Sequence, residues 1–502
     1  MPPGASADLG LLGAGAVAED LDGDGHIDLL VGGTSGDSRL FWNRGDGTFI
    51  EGAAAAGILM PGEWVVGVAA ADYDNDGDQD LFLNSRTPVR LLRNDGQRRF
   101  TDVSAAAGFN ALTGGAGVTF GDLDGDGWLD VFVGGTQLGS SEGVITDMVE
   151  IALVGLSPAH VLKGSPSGVF EDVSAELAIP DGNPLSVGML DLDGDFDVEL
   201  FIEQDSQGRV QNLMYENVGV RGGPIELRNV SEKCDCRMLL GPMGLGVIDV
   251  DDNGLPELFI SNLWLDRVGR EALLFNRGSM QFQDVAQELT AFAMDPFGEL
   301  GNRSSSWATM AFDVENDTFE DLFIVYGELV WEGSKNADPD TYPHLAAGQP
   351  DALLSRAYDG RFELQTGTGL EDTGRAQAAV VADFDGDGCE DVYVVNLETP
   401  ARLYRNRCSR ALTYVELQLE GRLSNRDAVG ARVRLEAAGR VQWRHVMGCS
   451  TGLRSCMPKR VHFGLGDAQK VAKVDIYWPS GHIQRIGELG VNQLHRIVEV
   501  PP

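Results

Sequence analysis

The chain has 502 residues, with 38 Lys and Arg against 77 Asp and Glu, a formal net charge of −39 at pH 7. A surface that acidic lacks the basic face that nucleic acid or an anionic membrane requires, so neither is expected as a partner. The 43% hydrophobic residues suffice for a large core, and 65 Gly without a collagen period point to many tight turns.

Met1 to Ala18 is mildly apolar but carries no positive stretch, so no signal peptide is read there. No apolar run approaches the roughly 18 residues of a membrane span. From Asp20 onward one pattern recurs: acid-x-acid-x-(Asp/Asn)-x-x-x-acid, then a short apolar run. The first copy offers Asp20, Asp22, Asp24 and Asp28; the second Asp72, Asp74, Asp76 and Asp80; the third Asp122, Asp124, Asp126 and Asp130. The fourth offers Asp191, Asp193, Asp195 and Glu199, and the fifth Asp249, Asp251, Asn253 and Glu257. The sixth offers Asp313, Glu315, Asp317 and Asp321, and the seventh Asp383, Asp385, Asp387 and Asp391.

Each copy sits in a similar frame. A run of small residues precedes it, and an apolar stretch follows. Next comes a segment ending in Asn (Asn94, Asn217, Asn276, Asn406), and then Phe-x-Asp-Val, as at Phe100, Phe170 and Phe282. Four short β segments per repeat of this size make a propeller blade. Seven copies predict a seven-bladed β-propeller over residues 1–412, a closed ring that leaves no open sheet edge.

Acids at alternate positions repel one another unless a cation sits among them. Calcium takes six to eight oxygens and tolerates irregular geometry. An EF-hand needs a twelfth-position Glu and flanking helices, whereas here the closing acid is ninth and a strand follows. The loops beginning at Asp20, Asp72, Asp122 and Asp383 carry the full pattern. The others depart from it, with Phe196 and Thr318 where Gly is expected. Four Ca²⁺ sites are therefore expected, and up to seven. Their repetition points to architecture rather than chemistry.

Residues 413–502 alternate with period two (Tyr414-Val-Glu-Leu-Gln-Leu, Ala431-Arg-Val-Arg-Leu, Val474-Asp-Ile-Tyr-Trp), which predicts a small antiparallel β-sandwich-like domain. Leu412 to Leu419 fits either this domain or the seventh blade. Of the six Cys, Cys449 and Cys456 can close a hairpin, whereas Cys234-x-Cys236 is too tight for easy self-pairing; the redox compartment stays open.

Propeller geometry puts the longest insertions, residues 134–162, 262–272, 286–308 and 327–352, on the face opposite the acidic loops. Asp147, His160, Trp264, Arg303 and Trp331 are the ligand-binding candidates there, for a protein, glycan or small molecule. The alternative is a biosynthetic enzyme of cyclase or alkylating type. Glu328, Asp338 or Asp340 would then be its general acid, beside Tyr342 and His344. Two Gly-x-Ser-x-Gly matches, from Gly139 and Gly448, lack the strand–turn–helix setting of a nucleophile elbow.

The repeats resemble FG-GAP/VCBS-type blades of integrin-α-like propellers. The C-terminal motifs Asn425-Arg-Asp-Ala-Val-Gly-Ala-Arg-Val433, His462-Phe-Gly-Leu-Gly466 and Trp478-Pro-Ser-Gly481, with Asn492, resemble the ASPIC/UnbV domain. Together they are similar to the cartilage acidic protein 1-like family. That resemblance implies a secreted or periplasmic calcium-binding protein. UnbV-like members also occur beside natural-product pathways, where an enzymatic or accessory role is conceivable. The family carries over no catalytic residues.

Overall fold

The computed structural model describes all residues except 1–13, 34–37, 61–64, 86–87, 110–111, 113, 136–156, 205–210, 238–240, 263–269, 294–304, 328–348, 398, 409–410 and 450–453. Among the described residues, seven antiparallel sheets repeat one topology, with strands adjacent in the order of the chain. Their first strands are Ala16–Glu19, Val65–Ala71, Val118–Gly121, Pro184–Leu190, Pro242–Ile248, Ser306–Phe312 and Ala376–Ala382, and almost every residue in them is buried. Each first strand packs against the first strand of the next sheet, and the last packs against the first. The ring is closed, and its crowded axis explains the runs of Ala, Val and Gly before each acidic loop.

Six blades have four strands. The seventh has three among the described residues, Ala376–Ala382, Asp391–Asn396 and Arg402–Tyr404. Strand Thr413–Glu420, which the sequence left between two assignments, pairs inside the C-terminal domain instead. Among the described residues, four-residue helices follow outer strands at Ala53–Ala56, Ser104–Ala107 and Ser174–Leu177. They are too short to display a helical period in sequence. Aromatic side chains fill the wedges between blades: Phe82, Phe109, Phe120 and Phe170 form one chain of ring contacts 5.1–6.0 Å apart. Burying each such ring contributes about 1.5–3 kcal/mol.

The C-terminal domain is two facing sheets. One orders Val461–Gly466, Thr413–Glu420 and Leu494–Val498; the other orders Arg440–His445, Arg432–Ala437, Val471–Tyr477 and Ile483–Ile486. Val415, Leu417, Val433, Leu435, Phe463 and Trp478 fill the space between. The expectation of a wholly antiparallel domain is corrected in one place, because Thr413–Glu420 runs parallel to Leu494–Val498.

This domain covers the acidic-loop face of the ring and sends a hairpin into the central channel. Cys449 and Cys456 are disulfide-bonded at its base. Cys456 bridges to Val17 of blade one, and Gly448 to Phe120 of blade three. Lys459 Nζ donates to the Ala70 carbonyl of blade two, 2.6 Å away, and the Lys459 N–H donates to Glu19. The inner strands thus find hydrogen-bond partners that a bare channel would deny them. Gly448 is required here, since a Cβ would stand 1.9 Å from the Phe120 carbonyl oxygen. Cys389 pairs with Cys408. Cys234 pairs with Cys236, against the sequence expectation: Asp235 takes a left-handed backbone (φ 57°) that turns the two Cα atoms to 5.1 Å.

Candidate metal centre

Each acidic loop joins the first and second strands of its blade and is organised by its own carboxylates. The first acid accepts backbone N–H groups from the middle of the loop: Asp20 from Gly25, Asp72 from Asp76 and Gly77, and Asp122 from Asp126 and Gly127. Asp191, Asp249, Asp313 and Asp383 do the same. The fifth-position residue (Asp24, Asp76, Asp126, Asp195, Asn253, Asp317, Asp387) accepts the N–H two residues on, which fixes the turn. The sixth position is left-handed in all seven loops. Gly25, Gly77, Gly127, Gly254 and Gly388 have φ of 87–102°, and Phe196 (81°) and Thr318 (90°) adopt the same conformation. The two loops that depart from the Gly pattern therefore keep the shape at a steric cost.

The ninth acid is the anchor. Asp28 Oδ2 accepts the Leu21 N–H, and its Oδ1 accepts the N–H of Asn43 on the third strand at 2.7 Å. Asp80 repeats this with Tyr73 and Asn94, Glu257 with Val250 and Asn276, and Asp391 with Phe384 and Asn406. The third-strand Asn in turn ties blade to blade. Asn43 Nδ2 donates to Phe384 O, Asn94 to Leu21 O, Asn217 to Leu123 O, Asn276 to Leu192 O and Asn406 to Val314 O, all at 2.7–2.8 Å. Arg356 takes the Asn place in blade six and donates from Nη1 to the Asp249 carbonyl. The Asn visible in the sequence repeat is thus the clamp between neighbouring acidic loops.

Carboxylate oxygens converge to within 4.8 Å of one another in several loops, among them Asp20, Asp22 and Asp28; Asp72, Asp74 and Asp80; Asp122, Asp124 and Asp130; Asp191, Asp193 and Glu199. Asp195, Asp197 and Glu199 form a further such group. Asp20 Oδ1, Asp74 Oδ1, Asp193 Oδ1 and Glu199 Oε1 are buried and accept no hydrogen bond. This donor set fits a hard divalent cation. Burial pushes Asp28 and Asp72 up to about 8 and Asp80 up to about 9, and lifts Asp130, Glu199 and Glu257 well above the carboxylate range. Cationic side chains offset part of the charge: Arg98 meets Asp22, Lys163 meets Asp124, and Arg405 meets Asp385.

The C-terminal domain reads these loops directly. Asp427 accepts the Asp72 N–H at 2.8 Å, Arg432 Nε lies 2.8 Å from Asp191 Oδ2, Arg460 donates to the Gly25 carbonyl, and His462 Nε2 meets Asn316 Oδ1 at 2.7 Å. Between the domain and the loops of blades five to seven lies a chamber of about 80 Å³, bordered by Glu320, Glu390, Arg444, His445 and His462. Burial drives Glu390 well up, and burial with the Arg444 charge holds His462 neutral, its pKa lowered to about 3. Sequence reasoning passed over this group. Its one signal was the additional acid at position eight of the sixth and seventh loops, Glu320 and Glu390.

Of the candidates for the opposite face, His160 lies on the third strand of blade three, where Nδ1 meets Asp172 at 2.9 Å. Asp147, Trp264, Arg303 and Trp331, with Glu328, Asp338, Asp340, Tyr342 and His344, lie outside the described residues. Among the described residues no helix is long and apolar enough to cross a membrane.

Residues 20–83 and 72–133 match the FG-GAP-like repeat, and residues 421–501 match ASPIC and UnbV. The chain is similar to cartilage acidic protein 1 of Mus musculus, 22% identical over 507 residues that cover 96% of this chain and 72% of that protein. It is also similar to cartilage acidic protein 1 of Homo sapiens, 37% identical over 109 residues, 21% of this chain and 16% of that protein. Among solved structures, a lectin of Burkholderia pseudomallei aligns with 78% of this chain and 95% of its own at 13% identity and a TM-score of 0.46.

Proposed function

For a ring of FG-GAP-like blades capped by an ASPIC and UnbV segment, we propose calcium binding at the acidic loops and partner binding at the opposite face. The observation that carries the first part is the convergence of buried carboxylate oxygens without hydrogen-bond donors in repeated loops. Calcium supplies the positive charge those oxygens lack. The protein's residues do the rest: first and ninth acids fix the loop backbone, the Asn clamps join loop to loop, and Asp427, Arg432 and Arg460 fasten the C-terminal domain over them. In this reading the ions bind ring and cap into one rigid body. The partner, a protein, glycan or small molecule, meets the insertion-bearing face. Three disulfides suit an oxidising compartment, in line with a secreted or periplasmic site.

Elemental analysis of chain purified without chelator tests the first part. Four to seven calcium ions per chain are expected, and fewer than one refutes it. For the second, truncating within the insertions, at 136–156 and 328–348, should abolish partner capture while leaving the melt unchanged.

A further inference from the structure

We infer that the cleft where blades five and six meet the C-terminal domain is a binding site for a neutral saccharide. It is an open cleft of about 550 Å³, within the size range of small-ligand sites. It lies on the outer rim beside the acidic loops, away from the insertion-bearing face.

A sugar ring offers an apolar C–H face and a belt of hydroxyls that donate and accept. The cleft holds a complement to each. Tyr358 is 87% exposed, a large aromatic face turned to water, and it stands edge-on to Phe319 (6.2 Å, 85°). Phe275 and Val250 extend the apolar floor. Two guanidinium groups flank Phe319, Arg356 at 5.0 Å and Arg440 at 4.0 Å, and both reach Asp252, at 3.6 and 3.5 Å. Arg356 is only 7% exposed, yet its Nε has no acceptor, and the Nε of Arg440 is likewise buried without one. The Arg440 side chain stays 29% exposed at the cleft, and its 3.5 Å pair with Asp252 is too long to saturate the guanidinium, so N–H donors remain for a hydroxyl. Asp359 supplies the opposite function, accepting hydrogen bonds from hydroxyls at the rim.

Charge selects among occupants. With Asp251 turned to the fifth acidic loop, two guanidinium groups face two carboxylates, Asp252 and Asp359, so the cleft cancels itself and favours neither a polyanion nor a polycation. A neutral molecule with many hydroxyls fits both the balance and the unpaired groups. The backbone of the fifth acidic loop and the turn before Arg440 hold the two sides, and Arg444 pairs with Glu320 behind them.

The test is an array of neutral and acidic oligosaccharides probed with the full chain at saturating calcium, followed by titration calorimetry of the best ligand. Neutral pyranosides should bind. Tyr358→Ala should weaken binding about tenfold, and Arg440→Gln at least fivefold. Because Tyr358 is exposed, the melt of that variant should match the parent, which separates lost binding from lost folding. The inference is overturned if no neutral saccharide binds, if only acidic ones do, or if Tyr358→Ala binds like the parent. None of these outcomes bears on calcium in the loops or on the opposite face.

Discussion

Removing divalent ions should loosen the whole ring, by an amount that depends on pH. A ligand that binds only the folded state at a hundred times its Kd adds about 2.7 kcal/mol per site. Four such occupied sites would together contribute about 11 kcal/mol. Unfolding entropy of about 2.1 cal/mol/K per residue gives roughly 1 kcal/mol per degree for a chain of this length, so chelation lowers Tm by about 10 °C. The sign of the pH term follows from burial. In the metal-free fold Asp28 and Asp72 are raised to about 8 and Asp80 to about 9, whereas an unfolded Asp titrates near 3.9. The folded chain thus holds protons that the unfolded chain releases. The contribution of these protons to stability is fully present below about pH 4, falls as pH rises above it and is lost once pH passes 8 to 9. Calcium competes with those protons, so its stabilising effect grows with pH. Scanning calorimetry in EDTA and in calcium, from pH 5.5 to 8.5, reads both effects. A Tm indifferent to EDTA, or a chelation penalty that shrinks as pH rises, would refute the reasoning.

Asn94→Ala removes one clamp between blades one and two and strands the Leu21 and Gln79 carbonyls; denaturant titration should show a loss of about 2–4 kcal/mol. Thr318→Gly relieves a left-handed β-branched residue in the sixth loop and should add about 1 kcal/mol in the same assay. Gly448→Ala forces a Cβ against the Phe120 carbonyl and breaks the Phe120 N–H bond to Gly448, so limited proteolysis should release the C-terminal domain faster than from the parent.

The ring was legible because its signal is local and repeated. Alternate acids, a small-residue run and an Asn at fixed offset need no knowledge of distant contacts, and seven copies correct one another's noise. Phe196 and Thr318 show the limit of reading residue by residue: each breaks the Gly pattern, yet neighbouring hydrogen bonds to Asp191 and Asp313 impose the same backbone. The docking of the C-terminal domain was not legible. It depends on pairs such as Val17 with Cys456 and Phe120 with Gly448, which lie more than three hundred residues apart and follow no period. The chamber of Glu390 and His462 is assembled by that docking and shared its invisibility. The Cys234–Cys236 pair was misjudged because sequence separation hides the turn that Asp235 makes.

The hairpin in the channel also decides how the molecule can be used. Propellers are often pictured as tubes, with an axial bore open to traffic. Here the Arg454 carbonyl already lies against Gly15, and Lys459 against Glu19, so the stopper spans the first blade's innermost strand from end to end. The side of the axis lined by blades one to three is thus occupied by the chain's own C-terminal domain, where an open bore would leave room for a ligand.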